Sequence, residues 1–122
     1  MTKITSIDVH SLSQLGAEAV ALFATRDFQG LADRFGYALA YDRDPAQAIA
    51  ADLESALLNS QEPSEQETPS ITVKYFKPNS TRLVALVECV MLFDNKVPIL
   101  VELIVNSFDG GMNIYLEDVS PL

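Results

Sequence analysis

The chain of 122 residues is poor in the residue types on which most catalytic and metal sites depend. It has one cysteine, one histidine and no tryptophan. A single cysteine excludes an intramolecular disulfide and a cysteine-rich metal site. A single histidine, His10, leaves no Ser-His-Asp or Cys-His arrangement unless it reaches the predicted sheet. Cys89 lies inside an apolar run, where we expect a small buried hydrophobe. We therefore expect no catalytic residue, no metal and no cofactor.

Positive charge is also scarce, with 8 basic against 17 acidic residues and a net charge of −9. Most of the acidic excess lies in residues 27–69. This sign of charge repels phosphate backbones, which argues against nucleic acid and favours a basic protein partner. Acidic surfaces also keep proteins soluble without any partner, so that interpretation stays open. The acidic residues of this segment are Asp27, Asp33, Asp42, Asp44, Asp52, Glu54, Glu62, Glu65 and Glu67, against Arg34 and Arg43.

Long hydrophobic runs are missing as well. No stretch approaches the 18 apolar residues of a membrane span, and the N-terminal residues do not resemble a secretory signal. We expect a cytoplasmic protein without membrane contact. The length and the 48% content of hydrophobic residues suit one domain over residues 1–122, with a helical part (1–60), a flexible acidic loop (61–70) and an antiparallel sheet (71–122).

The first half of the chain carries helical patterns. Apolar residues recur at three- and four-residue intervals over residues 9–24, which predicts a helix with Ser11 or Ser13 available as its N-cap. A second, shorter helix is predicted after Asp27, its expected N-cap, and ends near Gly36.

A third helix is predicted from Asp44 and Pro45, an N-cap acid followed by proline at the first helical position, to about residue 59. Residues 37–41 fit either a last helical turn or a short strand. Residues 61–70 combine prolines, serines and glutamates without apolar periodicity, which predicts a mobile loop that folding does not require.

From residue 71 the hydrophobic period changes to two. Four strands are predicted, joined by turn sequences rich in asparagine, aspartate and glycine, and their short connections predict a meander. The two central strands are apolar on both faces, and a sheet of that kind needs a cover on both sides. The helices can cover one face, and a partner, a second copy or closure around a pocket must cover the other. The predicted strands are residues 71–77, 82–93, 97–108 and 112–119.

Helices followed by a bent antiparallel sheet form the element order of cone-shaped cystatin-like folds, including the nuclear transport factor 2-like superfamily. The segment RDFQGLADRF (residues 26–35) resembles the short helix after a charged bend in that superfamily, and MNIYLEDVSPL (residues 112–122) resembles its last strand. The chain is also similar to small bacterial domains of unknown function. The resemblance implies two to three helices on a curved four-stranded sheet, and we transfer no catalytic residue from it.

Three glutamates interrupt the predicted strands. If the turn at 94–96 has three residues, Glu88 faces Glu102, and if the turn at 109–110 has two, Glu102 faces Glu117. Like charges opposed across a sheet repel each other, which raises at least one carboxyl pKa or demands a cation. An exposed acidic stripe, a contact stripe for a basic partner and a catalytic or metal cluster all remain open, because a one-residue shift of register would separate the glutamates.

These observations favour a non-enzymatic binding protein, and specifically a bacterial immunity-type inhibitor that neutralises a toxin by covering a basic surface. The residues expected to bind the partner are Asp42, Asp44, Asp52, Glu88, Glu102 and Glu117. The alternative is a cone-fold enzyme or small-ligand carrier whose pocket uses polar groups of Tyr37, Tyr41, Tyr75, Glu88 or Glu102. A homodimeric scaffold without a ligand is the third hypothesis.

Overall fold

The computed structural model describes residues 2–60, 68–94, 97–108 and 110–122, which form an α+β fold of three helices and a five-stranded antiparallel sheet. No helix in these ranges is long and apolar enough to cross a membrane. The elements in chain order are β1 (Thr2–Ile4), α1 (Val9–Ala24), α2 (Phe28–Phe35), a short 3-10 helix (Ala38–Ala40), α3 (Pro45–Asn59), β2 (Ser70–Tyr75), β3 (Leu83–Phe93), β4 (Val97–Phe108) and β5 (Gly111–Pro121).

All three helices begin at an aspartate that accepts a hydrogen bond from a backbone N–H three residues later. The predicted caps Asp27 and Asp44 are confirmed, with donor to acceptor distances of 2.9 Å and 3.0 Å. The prediction for α1 was wrong, because Asp8 rather than a serine is its cap. Ser11 donates to Asp8 instead, and hydrogen bonds from Ser6 and Ser11 lower the pKa of Asp8 to about 2. Gly36 ends α2 with a φ of 68°.

The sheet has five strands in the order β1, β5, β4, β3, β2, one more than the four predicted. The additional strand is β1, which pairs with β5 over three residues, Thr2 opposite Ile114 through Ile4 opposite Met112. The Thr2 hydroxyl also donates to the carbonyl of Arg34 at the end of α2. Three residues are too few to show a period of two, so only pairing with a distant strand defines β1.

The four predicted strands form the predicted meander, with small changes at their ends. Pairing of Phe93 with Val97 and of Phe108 with Gly111 agrees with the registers expected at the two turns. Of the predicted loop over residues 61–70, residues 61–67 lie outside the described part of the chain. Ser70 belongs to β2. The ambiguous segment 37–41 contains a single bridge from Tyr37 to β5 followed by the 3-10 helix.

The helices pack on one face of the sheet, where they bury alternate residues of β3, β4 and β5. The approach of α1 is closest at Gly16. A Cβ atom there would lie 3.1 Å from Ile71 Cγ2, Val87 Cγ1 and Cys89 Sγ. Cys89 is buried at this contact, and burial raises the pKa of its thiol to about 12, so it acts as a small hydrophobe as predicted.

Candidate functional site

The side of the sheet opposite the helices, which we call the open face, has three neighbouring rows of residues at its centre that run across the strands. The pair of Leu92 and Pro98 lies beyond them, next to the turn between β3 and β4. The register places an acidic row between two rows with apolar centres. In the strand order β2, β3, β4, β5, the first row is Lys74, Leu86, Ile104 and Tyr115, the acidic row is Thr72, Glu88, Glu102 and Asp118, and the third row is Ser70, Val90, Leu100 and Ser120.

The two faces of the sheet differ in burial. Helix-side residues such as Val87 and Val101 are fully buried, whereas their open-face neighbours Leu86, Val90 and Leu100 are partly exposed. Ile104 is buried, at 8% exposure. These four residues share the face opposite the buried helix-side residues. Val90 also lines a shallow groove with Ala17, Val20 and Ala21 of α1. The open face therefore presents apolar side chains to its surroundings over the described part of the chain.

The acidic row concentrates negative charge in the middle of this face. Glu88 lies directly opposite Glu102, which confirms the predicted pairing. Lys74 reaches diagonally to Glu88, with Nζ 2.6 Å from Oε1, and neutralises that end of the row. Burial, followed by the charges of Asp118, Glu88 and Glu117, raises the pKa of Glu102. Ionisation of Glu102 in the free protein therefore carries an electrostatic penalty.

The residue opposite Glu102 on β5 is Asp118, so the predicted pairing of Glu102 with Glu117 was wrong. The register from Phe108 and Gly111 holds as far as the pair of Leu103 with Leu116 and then shifts by one residue. Such a shift is a β-bulge, in which two residues of one strand oppose one residue of its neighbour. The bulge adds Asp118 to the row and keeps Glu117 within electrostatic reach of Glu102.

The other predicted partner-binding residues lie on the helical side of the molecule. Asp44 caps α3 and Asp42 is exposed in the turn before it. Asp52 is engaged inside the fold: it accepts hydrogen bonds from Arg43 at 3.0 Å and 3.1 Å and from the Tyr37 hydroxyl at 2.5 Å. The Arg43 guanidinium and the Tyr37 hydroxyl lower the pKa of Asp52 against the opposing effect of burial. Asp42 and Asp44 therefore do not belong to the acidic row. Asp52 is connected to it only indirectly, because Asp118 lies within electrostatic reach of Tyr37 and contributes to raising the pKa of that tyrosine.

The polar groups of the predicted ligand pocket are dispersed. Tyr37 is buried and bonded to Asp52, whereas Tyr41 is 82% exposed. Tyr75 donates from its hydroxyl to the carbonyl of Ile7 at 2.5 Å, beside the start of α1. Glu88 and Glu102 belong to the open face. These five residues therefore do not line one cavity.

Sequence reasoning missed Asp118 and Lys74 as members of the charged row. Adjacent acids at Glu117 and Asp118 in an otherwise alternating strand were the available signal for a bulge, since one of two neighbours would otherwise point into the core. The role of Lys74 depends on a diagonal contact between strands, which sequence does not specify. Among the described residues, no cluster of three or more potential metal ligands is present.

In comparisons with known proteins, no family model, no curated protein and no solved structure matches this chain.

Proposed function

We propose that the chain is a binding protein whose open face docks a protein partner that carries basic side chains, in the manner of an immunity-type inhibitor that covers a toxin. One observation carries the proposal: the row of Glu88, Glu102 and Asp118 lies between two rows with apolar centres, on the face of the sheet opposite the buried helix-side residues. Protein interfaces commonly combine buried apolar contacts with complementary charge in this way.

The partly exposed apolar side chains of these rows, Leu86, Val90 and Leu100, supply most of the contact area of the proposed interface, since Ile104 is already buried. Leu86 and Ile104 are paired on one side of the acidic row, and Val90 and Leu100 are paired on the other. Burial of such side chains contributes roughly 25 cal/mol for each Å² of apolar surface removed from water. A partner that covers both rows also covers the acidic row, which then loses its contact with water.

Loss of water makes the charge of the partner decisive. A carboxylate buried without a cation costs several kcal/mol, so a neutral or acidic partner is disfavoured on this face. An arginine or lysine placed between Glu102 and Asp118 would form charge-assisted hydrogen bonds and relieve the repulsion that raises the pKa of Glu102. Because Lys74 already neutralises Glu88, the cation is expected nearer to β5 than to β2.

A second copy of the chain fits the open face less well. Two open faces brought together around a two-fold axis would bring two acidic rows close together, in a protein whose net charge is −9. Like charges held close in a desolvated interface cost free energy and suppress wrong pairings. The proposal therefore assigns a basic partner rather than a homodimer to this face.

We propose as well that the fold is of the cone-shaped cystatin-like kind. Helices that precede a meander, and a bulge that bends β5 beside Glu102, support it. An architecture of this kind would account for the open face on the side away from the helices. We infer no catalytic residue from it.

Surface-binding kinetics with a panel of basic toxin domains, including any encoded beside this gene, test the proposal. Two variants probe the open face: Glu102→Gln removes one charge of the acidic row, and Leu100→Ser removes one apolar contact. Glu54→Gln and Leu58→Ser are matched controls on α3, where both side chains are exposed. We expect each open-face variant to weaken binding about ten-fold through faster dissociation, and each control to change it less than two-fold.

A separate pair of variants tests long-range attraction. The fold uses Asp44 as a cap and Asp52 as an acceptor, so Asp42→Asn combined with Glu54→Gln removes exposed charge without disturbing either. This pair should slow association and flatten its salt dependence while leaving dissociation unchanged. If no domain of the panel binds, or if binding ignores both open-face variants, the proposed function is wrong.

A further inference from the structure

Arg82 is the only arginine without a carboxylate partner among the described residues, in a protein with 17 acidic residues. The other three arginines form ion pairs: Arg26 with Asp94, Arg34 with Glu18 and Arg43 with Asp52. Arg82 instead places its guanidinium over the ring of Phe108, with Cζ 5.5 Å from the ring centroid. Its hydrogen-bond donors are therefore not used by a carboxylate within the described chain.

The loop between β2 and β3 holds Arg82 in an unusual backbone conformation. Its φ is 58°, in the left-handed region that residues other than glycine and asparagine rarely adopt. Asn79 organises the loop through its amide, which donates to the carbonyls of Lys77 and Leu83 at 2.8 Å and 2.9 Å. The Asn79 side-chain oxygen accepts from the Leu83 N–H at 3.1 Å and from the Thr81 hydroxyl at 2.7 Å. These hydrogen bonds fix the backbone around Arg82 and so limit where its side chain can lie.

Arg82 lines two neighbouring clefts. The first has a volume of about 400 Å³ and is largely apolar, with Tyr75, Phe76, Pro78 and Val84 in its lining. The second has a volume of about 320 Å³ and is formed with Ser107, with Gly110 before β5 and with Gly111 at the start of β5. Volumes of this size match the lower end of small-molecule sites, which bury an apolar body and fix it by a few polar groups.

We propose that the clefts around Arg82 bind a small monocarboxylate with an aromatic or aliphatic body. The planar guanidinium fork matches the two oxygens of a carboxylate, while the apolar cleft accepts the body of the ligand. Stacking of Arg82 on Phe108 keeps the fork in place before the ligand arrives. A doubly charged phosphate is repelled more strongly by a protein of net charge −9, so a single negative charge suits this site better.

Titration of the ¹⁵N-labelled protein with 3-phenylpropionate, followed by NMR, tests this proposal. The amide signals of Leu83, Ser107 and Gly111 should shift with saturation, with a dissociation constant on the order of 1 mM for a ligand of this size. The neutral analogue 3-phenylpropionamide should bind at least ten-fold more weakly, because it cannot accept from the guanidinium as an anion.

Three variants distinguish the contribution of the Arg82 charge to ligand affinity from the contributions of neighbouring side chains. Arg82→Asn removes the charge and keeps a residue that tolerates a positive φ, and it should weaken binding at least ten-fold. Phe108→Leu should weaken binding less, through loss of the stacked ring, and it tests the site independently if Arg82→Asn fails to fold. Lys77→Gln removes a neighbouring exposed cation and should leave the affinity within two-fold. Shifts dispersed over the whole surface, equal binding of the amide, or full binding by Arg82→Asn would each overturn the proposal. Tighter binding of inorganic phosphate at the same signals would overturn the assignment to carboxylates.

Discussion

At the scale of single residues, Glu102 is a carboxylate whose burial and neighbouring negative charges both oppose its ionisation. Its pKa is raised in the folded protein, so ionisation of Glu102 opposes folding. The stability that depends on its protonated form is present below the ordinary glutamate pKa and is lost as pH rises through the raised value. We therefore expect Glu102→Gln to raise the thermal midpoint at pH 7 by about 1 to 4 °C.

The pH dependence of this gain distinguishes it from a general effect of charge removal. Below the ordinary glutamate pKa, residue 102 is neutral in both the wild type and Glu102→Gln. The melting points of the two proteins should therefore converge. Glu54→Gln, at an exposed position of α3, serves as the matched control and should leave the midpoint unchanged at every pH. Equal gains from the two variants would contradict the assigned role of Glu102.

Two tyrosines that are four positions apart provide a second test at this scale. Tyr37 is buried and donates to Asp52 at 2.5 Å, whereas Tyr41 is 82% exposed. Burial and this hydrogen bond both raise the pKa of Tyr37. Tyr37→Phe should lower the free energy of unfolding by about 1 to 2 kcal/mol, measured by urea denaturation, because Asp52 loses one donor. Tyr41→Phe should leave that free energy within about 0.5 kcal/mol of the wild type.

At the scale of elements, the contact between α1 and the sheet depends on the missing side chain of Gly16. Three side-chain atoms of β2 and β3 lie 3.1 Å from the position of its Cβ. Gly16→Val should lower the free energy of unfolding by about 1 to 3 kcal/mol, because the added methyl groups push the helix away from a close-packed layer. Ala17→Val, at the next, exposed position, should cost only about 0.5 kcal/mol through helix propensity. Chemical denaturation of both variants measures the difference, and equal losses would show that the contact is not tight.

At the scale of the whole molecule, the acidic row is expected to keep the open face from pairing with itself. The double variant Glu88→Leu and Glu102→Leu makes the β3 and β4 positions of all three rows apolar. We expect it to self-associate at concentrations where the wild type is a monomer, because exposed apolar sheet faces associate when charge no longer opposes contact. Sedimentation equilibrium measures this change.

The control for this experiment removes the same amount of charge elsewhere. Asp42→Leu combined with Glu54→Leu also replaces two exposed acids by leucine, but on the helical side of the molecule. This variant should stay monomeric. Self-association of both variants to the same extent would show that net charge, rather than the acidic row, controls the oligomeric state.

The sequence by itself determined the features that arise between near neighbours in the chain. The cap at Asp27, the helix restart at Asp44 and the hairpin register that opposes Glu88 and Glu102 all depend on a few adjacent residues, and all three are confirmed. Local hydrogen bonds and the period of apolar residues are enough to fix such features.

Only the tertiary structure decided the features that depend on distant partners. Strand β1 exists because β5 and α2 lie beside it, and its three residues carry no pattern of their own. The bulge in β5 places Asp118, rather than Glu117, opposite Glu102. It allows Leu116 to stay buried on the helix side while an acidic side chain stays on the open face. Asp52 looks like any surface acid until folding brings Tyr37 and Arg43 to it. Each of these outcomes is a balance between burial, charge and strand pairing across the fold, which adjacent residues do not determine.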